Sequence, residues 1–388
     1  MNWQSVFAKR VVNIKSSTIR EILKLTQKSE IISFAGGLPA PGLFPSERIK
    51  EATVNVLEDI PEQALQYSLT EGYPPLRKWI GQRIGQNPDY IQIVSGSQQG
   101  LDLIAKLMLN EGDKVVVSSP TYMGALRAFD VYGVEYVSVE TDELGMLPDA
   151  LEQALKKGAK LIYVIPNFDN PAGTTMGLER RQKLVALSRK YGVAIVEDNP
   201  YGELRFRNQN LPNLIDLAPE MVIYCSTFSK IMVPGFRLAW LVVQPEMMEH
   251  IVNIKQASDL HSSTFTQMIT YEVTKDGFMD EQISRVKSYY KLQNETMLSR
   301  MRATFPDEIA WTNPDGGMFL WVMLPRSMNA TELLKKAVAK KVAYVPGFAF
   351  YANKPKQNTL RLSYSVASLE QIETGIASLA EVFKENMH

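Results

Sequence analysis

Between about residues 90 and 245, short apolar runs alternate with helical patterns, and this alternation restricts the possible folds most strongly. The strand-like runs are Ile91–Ser95, Lys114–Ser118, Val134–Val139, Leu161–Ile165, Val193–Glu197, Val222–Ser226 and Leu238–Val243. Between them, Leu101–Leu109 and Leu178–Tyr191 have helical spacing, and Gly192 stands where a left-handed cap would end the second helix. Strands that alternate with helices predict βαβ units and an α/β fold with a mostly parallel sheet. Runs this rich in Val, Ile and Leu predict strands that are covered on both faces.

The two ends of the chain have a different pattern. Residues 14–28 predict an amphipathic helix, and residues 34–45 are rich in Gly and Pro, which indicates an ordered turn or a linker. A long helix is expected from about residue 285, and Leu369–Phe383 reads as the final helix. Because 388 residues exceed one typical domain core, we expect a large domain of residues 46–285 and a small α+β domain built from 1–45 and 286–388.

Composition excludes several kinds of function. The 42 basic residues equal the 42 acidic residues, so net charge gives no reason to expect nucleic acid as a partner. The three histidines and the single Cys225 show no metal-ligand spacing, and neither a metal nor a disulfide is expected. No apolar run reaches the roughly 20 residues of a membrane span, and the first residues do not form a secretory signal. We therefore expect a cytoplasmic protein whose chemistry depends on Lys, Asp, Tyr and Arg.

Polar residues that could bind a ligand follow several of the predicted strands, and in such sheets ligands lie at the carboxyl ends of the strands. Gly96 permits a turn, and Ser97 is predicted to cap the next helix, whose first amides could bind an anion. Tyr122 could stack on a flat heterocycle, and Asn170 could donate a hydrogen bond to a phenolate-like oxygen. Each also has an ordinary structural explanation, as a cap, a packed ring or a turn former.

Charged residues follow two further strands. Asp198 comes at the end of a buried run, where a carboxylate is costly unless a cation, such as a ring nitrogen, accompanies it. Lys230 lies between the hydroxyls of Thr227 and Ser229 and the guanidinium of Arg237, where a phosphate could be held. A solvent-facing Asp and an unremarkable Lys are the alternatives for each residue alone, but five such signals at strand ends indicate one site.

These residues lie in eight motifs that occur in order along nearly the whole chain: SFAGGLP, LQYSLTEGYPPLR, GSQQGLDL, SPTYMGAL, PNFDNPAG, VEDNPYGELRF, STFSKIMVPGFRLAW and LRLSYS. The set resembles the fold-type I, pyridoxal-phosphate-dependent aminotransferases of class I/II, and within them the 2-aminoadipate and kynurenine aminotransferase subgroup. The S-x-S-K-x-x-x-P-G-x-R type of signature is highly specific. Three positions depart from the family pattern, namely Asp169, Ala172 and Thr227, and Asp169 adds an acid near the site.

The resemblance implies a role for each site residue. Lys230 would bond covalently to pyridoxal 5′-phosphate and move protons, Asp198 would pair with the ring nitrogen, and Tyr201 would bond the ring hydroxyl oxygen together with Asn170. Tyr122 would stack on the ring, and the phosphate would be held by Ser97, Gln98, Thr227, Ser229 and Arg237. Tyr67 would reach the phosphate in a partner subunit, which implies a homodimer. Gly37, Asn170 and Arg361 would bind the substrate, its α-carboxylate lying on Gly37 and Arg361. Arg20 would face an acidic substrate side chain, or else be an ordinary arginine on a helix surface.

The expected activity is ping-pong transfer of an amino group from an L-amino acid to a 2-oxo acid, with 2-oxoglutarate as the expected acceptor. The donor stays open between 2-aminoadipate, aromatic, branched-chain amino acids and glutamate. Another reaction of the same cofactor, by a lyase, decarboxylase or synthase, is an alternative because fold and cofactor motifs do not determine reaction type. An effector-sensing domain of a bacterial regulator is a weaker alternative, since the start reads as an aminotransferase arm without a basic excess. A dehydrogenase is disfavoured because no G-x-G-x-x-G follows the strands.

Overall fold

The computed structural model describes residues 1–12 and 30–387. Its strands, in chain order, are β1 (Ile32–Ser33), β2 (Ile91–Val94), β3 (Lys114–Ser119), β4 (Glu135–Asp142), β5 (Gly145–Met146), β6 (Ala159–Val164), β7 (Ala194–Asp198), β8 (Val222–Thr227), β9 (Ala239–Val242), β10 (Ala310–Trp311), β11 (Phe319–Met323), β12 (Val342–Ala343), β13 (Val345–Pro346) and β14 (Thr359–Ser363). The amphipathic helix expected over residues 14–28 lies outside the described residues.

Helices of eight or more described residues are α1 (Ser46–Asp59), α2 (Pro74–Ile84), α3 (Ser97–Met108), α4 (Met123–Asp130), α5 (Pro148–Leu155), α6 (Leu178–Tyr191), α7 (Pro245–Asp259), α8 (Thr264–Thr274), α9 (Phe278–Thr304), α10 (Ala330–Ala339) and α11 (Leu369–Lys384). Helix α6 ends at Gly192, whose φ of 65° is left-handed, as its sequence position predicts. At the start of α11, Ser368 and Gln371 form a capping box. No helix in the described ranges has the length and apolar character that crossing a membrane requires.

The central sheet has the order β2-β9-β8-β7-β6-β3-β4-β5 among the described strands. The pairs from β8 through β7, β6 and β3 to β4 are all parallel, whereas β9 is antiparallel to both β8 and β2. The middle of the sheet is fully buried, as Val116, Ile162 and Val196 illustrate. The predicted α/β fold with a mostly parallel sheet is therefore confirmed, and helix connections between parallel strands bring their carboxyl ends to one edge.

The two ends of the chain meet beside this sheet. Strand β1 pairs in parallel with β12, and β10, β11, β14 and β13 form an antiparallel sheet in that order. Helices α9 and α11 pack against each other next to it. The predicted boundary at residue 285 falls inside α9, which runs on as one helix, so the division of the chain into two domains stays a prediction.

Candidate active site

Asp198 is the last residue of β7 and lies inside the protein rather than in solvent, with 2% of its surface exposed. Its Oδ2 accepts a hydrogen bond of 2.8 Å from the hydroxyl of Tyr163, which stands on the neighbouring strand β6. Its Oδ1 is buried and has no hydrogen-bond partner among the described residues. Burial raises the pKa of Asp198 to about 6, and the Tyr163 hydrogen bond opposes this shift. The carboxylate thus has one oxygen available for a cationic partner.

Arg361, in β14, connects the antiparallel sheet to the loop that follows β6. One guanidinium nitrogen donates to Asn170 Oδ1 at 2.8 Å, and another donates to the carbonyl of Ala35 at 2.7 Å. Asn170 Nδ2 in turn donates to the hydroxyl of Tyr201 at 3.3 Å. Arg361, Asn170 and Tyr201 are all buried, although 191 residues separate the first two. Their contacts fix a guanidinium beside the phenol that follows β7.

Aromatic rings enclose the Arg361 guanidinium. Its central carbon lies 4.3 Å from the ring centre of Phe319 and 5.0 Å from that of Phe350. Burial lowers the pKa of Arg361 to about 10, while the nearby phenols of Tyr201 and Tyr122 act in the opposite direction. Arg361 Nε is buried without a hydrogen-bond partner in the part of the chain that the structure describes. A planar guanidinium held in this way can still accept a carboxylate.

Lys230 lies in the turn after β8 and is half-buried. Its Nζ donates to the carbonyl of Gly37 at 2.9 Å, across 193 residues of sequence. Burial lowers the pKa of Lys230 to about 8, and the positive charges of Arg361 and Arg237 lower it further. An amine in this environment is partly neutral near pH 8, as a nucleophile or a general base must be.

The start of helix α3 has the features of a small anion-binding site. Its N-cap is Gly96, at a φ of 92°, and not Ser97 as predicted, because the chain turns there in a conformation that favours glycine. A Cβ on Gly96 would lie 2.3 Å from the Arg237 guanidinium, so this arginine sits directly on the helix start. Ser97 Oγ is buried without a hydrogen-bond partner among the described residues, although the thiol of Cys225 is near it.

The remaining predicted phosphate ligands lie around the same helix start. Thr227 Oγ1 accepts a hydrogen bond from the amide of Ser229, and their hydroxyls are 2.9 Å apart. Gln98 donates to the carbonyl of Gly124 at 2.8 Å. The ring of Tyr122 covers Gly124 so closely that a Cβ there would meet it at 2.4 Å. Burial raises the pKa of Tyr122, and the charge of Asp198 adds to the shift, so the two side chains are near each other.

One predicted residue, Tyr67, lies apart from this cluster in the single chain. Tyr67 is 78% exposed and contacts the ring of His261 edge-on, with 5.8 Å between ring centres. Arg20 lies outside the described residues. No group of three or more His, Cys, Asp and Glu side chains within residues 1–12 and 30–387 is arranged to hold a metal ion.

Sequence reasoning missed three side chains of the site, namely Tyr163, Phe319 and Phe350. Tyr163 lies inside an apolar strand, and only its pairing with β7 shows that its hydroxyl meets Asp198. The two phenylalanines read as ordinary core residues. Asp169 was noted as an added acid, and burial raises its pKa to about 8, with a further contribution from Asp198. Its Oδ1 has no hydrogen-bond partner among the described residues.

Comparisons with known proteins agree with this geometry. The family model described as "Aminotransferase class I and II" matches residues 30–379. The chain is 43% identical to an aromatic-amino-acid aminotransferase of Thermococcus litoralis over 100% of this chain and 96% of that protein. A kynurenine aminotransferase of Pyrococcus horikoshii, solved in complex with PMP, has a TM-score of 0.96 at 41% identity, covering 100% of this chain and 99% of the other. An α-aminoadipate aminotransferase of Thermus thermophilus, complexed with N-(5′-phosphopyridoxyl)-L-leucine, has a TM-score of 0.93 at 41% identity, covering 99% of each chain.

The described residues fit pyridoxal 5′-phosphate. The unpaired Asp198 Oδ1 suits a ring cation, and the Lys230 amine suits an aldehyde. The start of α3, with Ser97 Oγ and the Arg237 guanidinium, suits a phosphate. The chain therefore belongs to the class I and II aminotransferases and is a pyridoxal-phosphate-dependent transaminase acting on amino acids.

Proposed function

We propose that this enzyme transfers the amino group of an aromatic L-amino acid or L-2-aminoadipate to 2-oxoglutarate by a ping-pong mechanism, with branched-chain amino acids and glutamate as further donors. One observation carries the proposal: Lys230 and the Arg361–Asn170–Tyr201 cluster converge on the segment that contains Ala35 and Gly37. An amine and a carboxylate-binding fork are thus joined through one short stretch of backbone. The names of the relatives support the substrate class.

Residue roles follow from the contacts. When bound, pyridoxal 5′-phosphate provides an electron sink that makes the proton on the substrate Cα removable. The buried carboxylate of Asp198 would hold a positive charge on the ring nitrogen, since it has no other counter-charge within hydrogen-bonding distance among the described residues. Asn170 and Tyr201 would orient the ring through its hydroxyl oxygen. Tyr122 would cover one face of the ring and exclude water.

The phosphate would be held at the start of α3. Ser97, Gln98, Thr227 and Ser229 supply hydroxyl, amide and backbone donors there, and Arg237 supplies a positive charge. Lys230 is not needed to bind the phosphate, so its Nζ would carry a proton to and from the substrate Cα. Its pKa of about 8 suits that task, because an amine titrating near the working pH can both accept and release a proton.

Arg361 and the Gly37 backbone would hold the substrate α-carboxylate. Phe319 and Phe350 lie against the guanidinium, and its hydrogen bonds to Asn170 and Ala35 orient it, so the fork is set before substrate arrives. A carboxylate gripped at one end fixes which bond of Cα faces Lys230. Arg20, outside the described residues, stays a candidate for contact with an acidic substrate side chain.

Arg361→Lys tests the carboxylate grip. A lysine keeps the charge but loses the two-pronged geometry and the stacking on Phe319, so we expect the KM for the amino donor to rise about 10- to 100-fold. The visible absorbance of the bound cofactor should stay as in the wild type, because Asp198 and Lys230 are unchanged. Steady-state kinetics and absorbance spectra measure both. Arg302→Lys, on an exposed position of α9, is the matched control, and an unchanged KM in Arg361→Lys would contradict this role.

The pH dependence of cofactor uptake tests the environment of Lys230. Only the neutral amine attacks an aldehyde, so a lowered pKa makes Lys230 reactive at lower pH than an ordinary lysine. We expect the rate of uptake by the apoenzyme to rise with pH about tenfold per unit and to level off above about pH 8. Arg361→Met removes a positive charge and should move this midpoint to higher pH. Stopped-flow absorbance measures the rate, N-acetyl-lysine corrects for ionisation of the cofactor, and a wild-type midpoint above pH 10 would refute the prediction.

A panel of amino donors assayed with 2-oxoglutarate tests the substrate class. We expect aromatic amino acids and 2-aminoadipate to give the highest kcat/KM, and parallel lines in double-reciprocal plots for the ping-pong order. Activity confined to small amino acids such as alanine, or intersecting lines, would overturn the proposal. The established transaminase activity would stand in either case.

We also propose a homodimer. Around Tyr67, the side chains of Leu65, Leu69 and Leu260 are at least half exposed in the single chain, which is unusual for apolar residues that are close together in sequence or space. A partner subunit covering this patch would bring Tyr67 to the partner's phosphate. A cytoplasmic location is proposed as well, on the sequence alone.

Subunit mixing tests both parts of the dimer proposal. Tyr67→Ala and Lys230→Ala enzymes, each of low activity, are unfolded together and refolded. A mixed dimer then contains one site with Lys230 from one chain and Tyr67 from the other, so about a quarter of the wild-type activity should return. Recovery no greater than the sum of the two separate variants, or a monomer by light scattering, would disprove the shared site.

A further inference from the structure

A cavity of about 810 Å³, which we call the rear cavity, lies on the face of the central sheet opposite to Asp198. Asp198 pairs with Cys225 in the sheet, and side chains alternate between the two faces along each strand. The cavity is lined by Tyr224 and Ser226, which flank Cys225 on β8 and therefore point to the opposite face. It is also lined by Trp240 of β9, which pairs with Ser226. The sheet itself therefore separates this cavity from the cofactor site.

Two helices form the outer walls of this rear cavity. Helix α2 contributes Trp79 and Arg83, and helix α9 contributes Asp280 and Lys287. A volume of this size is within the range of sites for small metabolites. The proposed function above assigns nothing to it.

Arg205 lines the rear cavity and is the residue that most needs a ligand. It is only 5% exposed, yet its guanidinium makes no hydrogen bond or ion pair to any described residue. It lies over the ring of Phe168, 4.7 Å from the ring centre, which compensates part of its desolvation. Burial lowers the pKa of Arg205, and the charge of Asp315, which lies beyond ion-pairing distance, opposes the shift. None of the Arg205 nitrogens is among the buried atoms without a partner, so the guanidinium opens onto the cavity, where an anion can bind it.

The acidic side chains of the rear cavity already have partners. Arg83 pairs with Glu203 at 2.5 Å and with Asp280 at 2.9 Å. Asp216 accepts a hydrogen bond of 2.8 Å from the amide of Asn213 in a capping box. These three carboxylates disfavour a multiply charged phosphate, because like charges in one cavity repel each other. A single carboxylate avoids most of that cost and matches the planar fork of an arginine.

Trp240 and Lys287 complete the lining near Arg205. Trp240 is buried and lines the rear cavity with its ring, while its indole nitrogen is itself inaccessible from the cavity. Lys287, half-buried on α9, likewise forms no ion pair with a described residue. Two cationic side chains of the lining, Arg205 and Lys287, thus have no ion-pair partner among the described residues.

The geometry points to a second binding site in the rear cavity, for a small organic carboxylate that is anchored on the Arg205 guanidinium. Lys287 adds a positive charge at the wall, and the rings of Trp79 and Trp240 provide apolar surface for the rest of the molecule. The site is independent of the proposed substrate specificity, since none of its residues contacts Lys230, Asp198 or Arg361 through a hydrogen bond among the described residues.

The test uses 4-bromobenzoate and the holoenzyme. Crystals soaked with it should show anomalous bromine density in the rear cavity, and titration calorimetry should detect the same binding in solution. Arg205→Met should weaken that binding about tenfold or more, and Arg205→Lys should weaken it less. Lys287→Met should weaken it about two- to threefold. Arg302→Met, on the exposed side of α9, should have no effect.

The competing outcomes are distinct. Bromine density only beside Arg361, or equal affinity in wild type and Arg205→Met, would overturn the proposal. So would density at soaking concentration with no heat in solution. Inorganic phosphate occupying the cavity in place of 4-bromobenzoate would refute the carboxylate assignment. If Arg205→Met does not fold, the wild-type crystals and Lys287→Met still decide, because both require occupancy next to Arg205.

Discussion

Lys230→Ala is expected to lose at least about 10⁴-fold in transamination rate, because it removes the amine that we propose both bonds the cofactor and carries the Cα proton. The characteristic visible absorbance of the holoenzyme should also disappear. Both follow from the position of Nζ, which lies among Gly37, Arg361 and Arg237 with its pKa lowered to about 8. Turnover of glutamate with 2-oxoglutarate, together with absorbance spectra, measures the loss.

Controls separate this chemical role from a folding defect. Lys78→Ala, at an exposed position of α2, should keep full activity and absorbance. Loss of the hydrogen bond to Gly37 should cost only about 1 kcal/mol of stability, so the Lys230→Ala protein should remain folded by circular dichroism. Borohydride reduction of the wild-type holoenzyme should label the peptide that contains Lys230. A label on another lysine, or retained turnover in the variant, would sink the assignment.

Asp198→Asn is expected to bind the cofactor but to lose about 10³-fold or more in kcat. Asparagine has nearly the same shape and can still accept the hydrogen bond from Tyr163, so the binding surface should persist. It has no charge, and without a carboxylate nothing in the described site holds a positive charge on the ring nitrogen. Single-turnover kinetics with excess amino acid measure the chemical step. Near-normal turnover would refute this role, and Asp307→Asn, at an exposed position, is the control.

Asp198→Asn should increase the stability of the apoenzyme at neutral pH, although it lowers the activity of the holoenzyme. The folded pKa of about 6 is above the ordinary value of 3.8, so the protonated acid is favoured in the folded state. The contribution of Asp198 to the free energy of unfolding is therefore fully present below about pH 4 and is lost as the pH rises through about 6. Above that, the buried charge costs about 3 kcal/mol. Asp198→Asn apoenzyme should melt above wild type at pH 8 and equally at pH 4, and a lower melting temperature at pH 8 would contradict the burial argument.

Local pattern was enough to predict the sheet and much of the site. Strands such as Leu161–Ile165 and Val222–Ser226 are apolar runs whose ends differ from those of the observed β6 and β8 by at most two residues. Polar residues after such runs must lie at one edge of a parallel sheet, so Asn170, Asp198 and Lys230 could be grouped before any contact was known. The left-handed end of α6 at Gly192 was equally local.

The local sequence pattern did not predict the exact position at which a helix begins. Serine is a good cap in general, but the N-cap of the helix after β2 is one residue earlier, at Gly96, where the φ of 92° favours glycine and the Arg237 guanidinium leaves no room for a Cβ. That contact joins the two antiparallel strands β8 and β9 to α3. No spacing rule predicts it, since the approach depends on how a turn and a helix pack.

By itself the sequence predicted the α/β fold, because periodicity is a local property of the chain, and its motifs indicated the cofactor and a role for Lys230 through their resemblance to the aminotransferases. Only the tertiary structure decided what surrounds each charge. Lys230 meets the Gly37 carbonyl across 193 residues and Arg361 meets Asn170 across 191, so their pKa values depend on packing between distant segments. The same holds for Arg205, whose guanidinium opens onto the cavity between α2, α9 and the rear of the sheet. Desolvation is a property of the folded volume, and the order of residues does not encode it locally.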